Sequence, residues 1–329
     1  MPSPSAGAFD AQSRRVWTGR DVRRLLRVPG DRDDKRSRGV VALRTGSDAY
    51  PGAAVLGVEG AWRAGCGYVR YVGPRRAADL VLARRPETVA TTPDADAVLA
   101  DVWVIGSGTD ATTRPDSETS ALRALLAGSD PVVVDAGALD LLPATAAPVI
   151  ATPHAGEFLR LRATVGLAGL SSDTLQDPAA RAEAVRETAE ALGGAVLLKG
   201  ATTLVADATA VIAVGTGTPW LATAGTGDVL GGVLGAIVAA DRAAGGTTSL
   251  AELAATAAWL HGVAGRIASG TEAASGAGEG GPAHPIVALD VADALPAAVA
   301  LVLGEDQGSE HDEHREHIEH HEETEEGRA

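Results

Sequence analysis

The sequence predicts an α/β fold, with a mostly parallel central sheet covered by helices on both faces. Three observations predict it. Short β-branched runs alternate along the chain with segments of helical spacing, the order that crossover helices between parallel strands produce. Runs such as 131–137 (PVVVDAG) and 194–200 (GAVLLKG) are apolar without alternation, which fits strands buried on both sides. The 329 residues are 45% hydrophobic but only 3% aromatic. Ala, Val, Leu and Gly therefore fill the core, and small side chains suit helices packed closely on a sheet.

The elements read in order as follows. Residues 1–38 are polar, rich in Arg and Asp and without a sustained period, so they form a lead-in. One domain follows over 39–303. In it, strands are expected at Val40–Arg44, Tyr68–Val72, Val102–Ile105 and Val132–Asp135, with helices at Gly52–Ala64 and Glu118–Ala127. Val149–Thr152 leads into the segment TPHAGEF, and Ala179–Leu192 is a helix stopped by Gly193–Gly194. Short strands at Ala195–Lys199, Thr202–Ala206 and Val211–Val214 are joined by tight turns. Long helices around Asp228–Ala240, Leu250–Ser269 and Val287–Leu303 complete the domain, the last two separated by a Gly/Ala/Ser-rich loop at Thr271–Pro282.

Residues 304–329 hold eleven acids against two arginines, a net of −9 out of −15 for the chain, and five of the eight histidines. Such a segment buries too little apolar surface to order itself and is expected to be a disordered tail. Its imidazoles suit a transition metal, though a solvated, solubilising tail is the simpler reading. The remaining body is mildly acidic and has no basic stripe, which excludes nucleic acid as a partner. No apolar run is long enough to span a membrane, and no signal-like core opens the chain. One cysteine, Cys66, sits between two glycines and reads as a small buried residue in a reducing cytoplasm.

Residues 215–235 (GTGTPWLATAGTGDVLGGVLG) carry the chemistry. Gly225 and Gly227 free the backbone to bring N–H groups together at the start of a helix, where the unpaired donors and the dipole favour an anion. Asp228, one residue further, faces whatever that anion is attached to. The simpler reading is a tight turn before a helix with an N-terminal acid. Two other segments accompany it: TPHAGEF at 152–158 and KGATT at 199–203. Each of these motifs follows an expected strand, where ligands collect on a parallel sheet.

Together these segments resemble the carbohydrate-kinase-like ADP/ATP-dependent NAD(P)H-hydrate dehydratases of the ribokinase superfamily. That family shows TPHxGE, KGxxT and GNPGMATGGTGDVL in this order. Here they read TPHAGE, KGATT and GTPWLATAGTGDVL, and GSDAYPGAAVLGVEGAWRAGCGYVR at 46–70 is similar to GSxxYPGAAxLAAxAALRxGAGLV. The resemblance covers roughly residues 35–303. It implies a ribokinase-like three-layer α/β/α sandwich and dehydration of hydrated NADH or NADPH, with the ring hydroxyl phosphorylated at a nucleotide's expense and the phosphate then eliminated. It implies Asp228 as catalytic acid–base group and Ala53, Ala54, Gly106, Gly108, His154 and Asp228 as substrate-binding. Lys199, Gly200, Ala201, Thr202, Thr203, Gly225, Thr226 and Gly227 would line the nucleotide. Glu157 matches an acid that helps hold magnesium through the nucleotide; an early-helix acid is the alternative. Magnesium and ADP, or ATP, are the implied cofactor and co-substrate, with ADP favoured by the bacterial look of an Ala/Arg/Gly-rich chain. A homo-oligomer, a tetramer among the options, and a separate epimerase on another chain are also implied.

The sequence departs from the family pattern in places. GPGLG has become Gly106-Ser-Gly-Thr-Asp110, DADAL has become Asp135-Ala-Gly-Ala-Leu139, and GM before ATG has become Trp220-Leu221. Two other readings stay open at this point. A small-molecule kinase of the same superfamily would use the same anion hole and Asp228. A nucleotide-binding protein without catalysis, bearing a metal-binding tail, is the other.

Overall fold

The computed structural model describes residues 14–92, 98–272 and 281–304. The expected tail at 304–329 lies outside them beyond Gly304, as does most of the 271–282 loop. Strands β1 (Arg15–Val16), β2 (Val40–Arg44), β3 (Tyr68–Val72), β4 (Val89–Thr91), β5 (Val102–Ile105), β6 (Val132–Val134), β7 (Val149–Ala151), β8 (Ala195–Leu198), β9 (Thr203–Ala206) and β10 (Val211–Val214) form one sheet. Their order is β1-β10-β9-β8-β7-β6-β5-β2-β3-β4. All neighbouring pairs are parallel except those made by β9, which runs antiparallel to both β8 and β10. Pairing of Leu198 with Leu204 makes residues 199–202 a hairpin turn at the end of β8.

Alternate residues of the strands face two cores. On one face, Val41, Leu43, Val104 and Leu197 pack under helices α1 (Gly19–Leu25), α2 (Gly52–Arg63), α3 (Arg75–Arg84), α7 (Thr226–Ala243), α8 (Leu250–Ala268) and α9 (Ala288–Gly304). On the other, Ala42, Ile105, Val134 and Leu198 pack under α4 (Asp116–Leu126), a 3-10 segment (Ala136–Ala144), α5 (Ala155–Thr164) and α6 (Pro178–Leu192). This is the expected three-layer sandwich. Local chemistry sets the helix ends. Asp177 caps α6 by accepting from the Ala180 N–H, Pro178 occupies its first turn, and Gly193 closes it with φ +69°.

The fold begins upstream of residue 39. Strand β1 pairs with β10, Trp17 is 2% exposed and Val22 is fully buried, while Thr18 and Asp21 cap α1 reciprocally. A two-residue strand and a seven-residue helix are too short to show a period, so composition alone made this segment look like a lead-in. No described helix is long and apolar enough to cross a membrane.

Helices α2 and α7 lie backbone to backbone. A Cβ on Gly60 would overlap the Val229 carbonyl, and one on Gly232 would overlap the Gly57 carbonyl. A Gly→Ala change inside an exposed helix gains about 1 kcal/mol. At Gly232 the expected outcome is the reverse, a loss of roughly 1–3 kcal/mol from overpacking, measured by denaturant unfolding of Gly232→Ala.

Candidate active site

The carboxyl ends of β2, β5, β6, β7 and β8 meet along one edge of the sheet, and the loops leaving them are tied to each other. The Gly46 N–H donates to the Ser107 carbonyl at 2.7 Å, and the Lys199 N–H to the Pro153 carbonyl at 2.9 Å. Helix α7 begins over this edge. Gly225 opens it at φ +89°, a left-handed conformation that a side chain would strain, and a Cβ there would strike Leu56 of α2. The Thr226 hydroxyl donates back to the Leu221 and Thr223 carbonyls at 2.9 and 3.1 Å, so it braces the turn.

The Thr226 carbonyl is 2.9 Å from Nε2 of His261, a residue of α8 that nothing in its local sequence singles out. A carbonyl only accepts, so Nε2 carries the proton. Burial lowers the His261 pKa to about 4, which keeps the ring neutral near pH 7.

Below the turn lies Asp135, 5% exposed, at the end of β6. It accepts from Ser107 Oγ at 3.1 Å, Thr152 Oγ1 at 2.8 Å and Lys199 Nζ at 3.0 Å. The same ammonium is 3.9 Å from Glu157 and would be 3.5 Å from a Cβ on Gly227, so it lies against the first turn of α7. Ala136, just after Asp135, has φ +45°, the one positive value at a non-glycine among the described residues. Asp228 is the carboxylate without such a set of donors. Its pKa rises from the ordinary 3.8 to about 6, first because it is removed from water and then because Asp135 repels its charge. Lys199 and hydrogen bonding to Ser107 oppose the rise without cancelling it.

His154 caps α5. Its Nδ1 accepts from the N–H groups of Gly156 and Glu157 at 3.1 and 3.4 Å, while Glu157 accepts from the His154 N–H at 2.9 Å. This reciprocal cap fixes the ring with Nδ1 unprotonated, leaving Nε2–H as donor beside Glu157 Oε1 at 3.4 Å. The side chain remains 57% exposed. Both roles considered for Glu157 are therefore open to it: it is an early-helix acid, and it points to the Lys199 ammonium. The described residues contain no cluster of three or more His, Cys, Asp or Glu side chains able to hold a metal. Carboxylates at Glu157, Asp135 and Asp228 suit magnesium only together with phosphate oxygens, the way that ion is usually bound.

The remaining expected residues divide. Ala53 and Gly108 touch, since a Cβ on Gly108 would lie 2.5 Å from the Ala53 Cβ and 3.0 Å from the Gly46 Cα. Gly106 and Gly108 have φ +97° and +69°. Ala54 is fully buried behind Gly46, so it supports this wall from behind. Gly200, Ala201 and Thr202 are exposed on the β8–β9 turn, and Thr203 starts β9. A cavity of about 350 Å³ opens beside the wall, among Gly46, Tyr50, Pro74, Thr109 and Arg114; Asp228 does not line it. Asp135, Ser107, Thr152 and His261 were absent from the expected site. Asp135 carried a signal as an acid directly after the strand VVV, and Thr152 and Ser107 lie in quoted motifs without having been singled out, whereas His261 carried none.

A family model described as NAD(P)H-hydrate dehydratase matches residues 41–277. The chain belongs to this family. A bifunctional NAD(P)H-hydrate repair enzyme of Corynebacterium glutamicum is 38% identical over 297 residues, covering 83% of this chain and 49% of that protein. The chain spans about half the length of such curated relatives. An ADP-dependent (S)-NAD(P)H-hydrate dehydratase of Neisseria meningitidis serogroup B is 35% identical, over 79% of this chain and 88% of that protein. Among solved structures, the ADP/ATP-dependent NAD(P)H-hydrate dehydratase of Bacillus subtilis, co-crystallised with ATP and Mg2+, superposes with a TM-score of 0.74 at 28% identity, over 88% of this chain and 99% of that one. The ribokinase-like architecture expected from the motifs is the observed one.

The raised pKa makes Asp228 a site of stored instability. Its ionised form is disfavoured in the folded state, so the penalty is full above about pH 6 and absent below 3.8. Asp228→Asn is therefore expected to raise the Tm at pH 8 and to lose that advantage as the pH falls toward 4, as read by thermal unfolding at both pH values.

Proposed function

We propose that this protein is an ADP-dependent (S)-NAD(P)H-hydrate dehydratase that returns hydrated NADH or NADPH to the usable cofactor. The observation that carries the reading is Asp228, a carboxylate with its pKa pushed up to about 6, one residue beyond the Gly225–Gly227 amides and close to Lys199. Family membership supplies the substrate class.

In this reading the nucleotide lies along Lys199–Thr203, with its terminal phosphate at the Gly225–Gly227 amides. Asp228 takes the proton of the ring hydroxyl as that oxygen bonds to the phosphorus and the bond to the nucleotide's leaving phosphate breaks. The amides and Lys199 stabilise charge developing on the phosphoryl oxygens. The C–O bond of the new phosphate ester then breaks, phosphate departs with the electron pair, and loss of a ring proton restores the dihydronicotinamide. Phosphate leaves far more readily than hydroxide, which explains a dehydration on a kinase scaffold. Glu157 and Asp135 are the carboxylates placed to reach a magnesium ion on the nucleotide, which would neutralise phosphate charge. The His154 Nε2–H, beside Glu157 on a side chain that stays exposed, is the donor this reading gives to the substrate, and the Ala53–Gly108 wall is the surface against which the ring rests.

ADP is preferred to ATP because the Neisseria relative is named as ADP-dependent. A homo-oligomer, a cytoplasmic location and an epimerase for the (R) form complete the proposal.

Incubation of NADH hydrate with magnesium and ADP, ATP or no nucleotide tests it. Regain of NADH absorbance is expected only with a nucleotide and to be larger with ADP. Asp228→Asn should reduce it by about 10²–10⁴-fold, and the wild-type rate should fall as the pH drops below about 6. A folded enzyme that regains no NADH, or that only accumulates a phosphorylated hydroxyl compound, would sink the dehydratase reading; the second outcome points to a small-molecule kinase.

A further inference from the structure

We propose that the guanidinium of Arg181 binds a phosphate of the nucleotide, from the side of the site opposite the start of α7. The proposal rests on the reading that the nucleotide lies along Lys199–Thr203.

Arg181 is the fourth residue of α6, a helix that packs against β8 and β9, and its side chain reaches the turn between those strands. A Cβ on Gly200 would lie 2.5 Å from one terminal nitrogen of Arg181, with the central carbon and the other terminal nitrogen at 3.4 and 3.5 Å. The guanidinium thus lies on the bare backbone of Gly200, in the space that any other residue's Cβ would claim.

Nothing among the described residues accepts from it. Its backbone N–H, in contrast, donates to the Asp177 carbonyl at 2.9 Å. Neighbouring arginines differ. Arg162 donates to the Ala184 carbonyl, Thr188 and Glu187, and Arg186 pairs with Glu183 and Glu190. Burial without a facing carboxylate holds the Arg181 pKa below its ordinary value. A half-buried cation in this state gains more from an arriving anion than a solvated one does.

The charge balance of the site points the same way. Lys199 is shared between Asp135 at 3.0 Å and Glu157 at 3.9 Å, and Asp228 is a third carboxylate nearby. A nucleoside diphosphate brings further negative charge to a place where acids already outnumber the one ammonium. A second cation offsets it, and the planar fork of arginine meets two phosphate oxygens at once, which an ammonium does not.

The test is calorimetry on the full chain with magnesium, using ADP, AMP and adenosine as probes, for the wild type, R181A and R181K. R181A is expected to weaken ADP and AMP at least tenfold and adenosine less than twofold, with R181K recovering only part of the loss. In the NADH-hydrate assay, R181A should raise the KM for ADP while the KM for the hydrate stays within twofold. R181Q, which keeps the length of the side chain, gives the same comparison if R181A does not fold. Unchanged ADP affinity in these variants overturns the proposal alone. Equal losses for adenosine and ADP also overturn it, because the contact is then to base or ribose, or is only structural. Absence of ADP binding by the wild type overturns the nucleotide reading together with the proposal.

Discussion

At Gly57, Gly60 and Gly232, helices α2 and α7 meet backbone to backbone, and the site depends on that contact. Gly60 meets Val229, Gly232 meets Gly57, and on its sheet side Gly235 of α7 leaves no room for a Cβ against Val104 and Val41. The first turn of α2 carries the Ala53 wall, and the first turn of α7 carries the amides and Asp228. Packed backbones have no flexible atoms to absorb a shift, so the distance between wall and anion turn is set in the core. The small residues within segments 46–70 and 215–235 are therefore what gives the site its dimensions.

Two aspartates share this site and behave differently because their surroundings differ. Asp135 is enclosed by Ser107, Thr152 and Lys199, and these fix its orientation. Asp228 is also withdrawn from water, but it gains a repelling neighbour where Asp135 gains donors. One carboxylate holds the site together, while the other is left with a proton affinity suited to exchange near neutrality. The buried neutral ring of His261 supports the turn from behind and adds no charge to this balance.

The fold was legible where the chain repeats a pattern. The apolar strands β5, β6 and β8, and the long helices α7 and α8, stand where β-branched runs and helical spacing place them. Strand β1 and helix α1 were hidden because their few residues are polar on most sides and are held by distant partners, as Trp17 is by Thr256 across 239 positions. Strand β4, three residues long, and helix α3, which begins with two arginines, offered no better signal. In the site, a run of glycines before an acid announced itself locally. The set around the second acid did not: Ser107, Thr152 and Lys199, the last singled out only for the nucleotide, converge on Asp135 only once four strands are side by side. His154 shows the limit from the other side, since a histidine that looks chemical in sequence also has a structural task as the cap of α5.

The sheet ends in strands of two residues at one edge, β1, and three at the other, β4. A mostly parallel sheet of ten strands would otherwise present rows of unpaired amides and carbonyls to any passing extended chain. Strands this short give such a chain little to register against, which blunts the ladder as a template for growth. A second copy arriving at either edge would find only two or three residues to pair with.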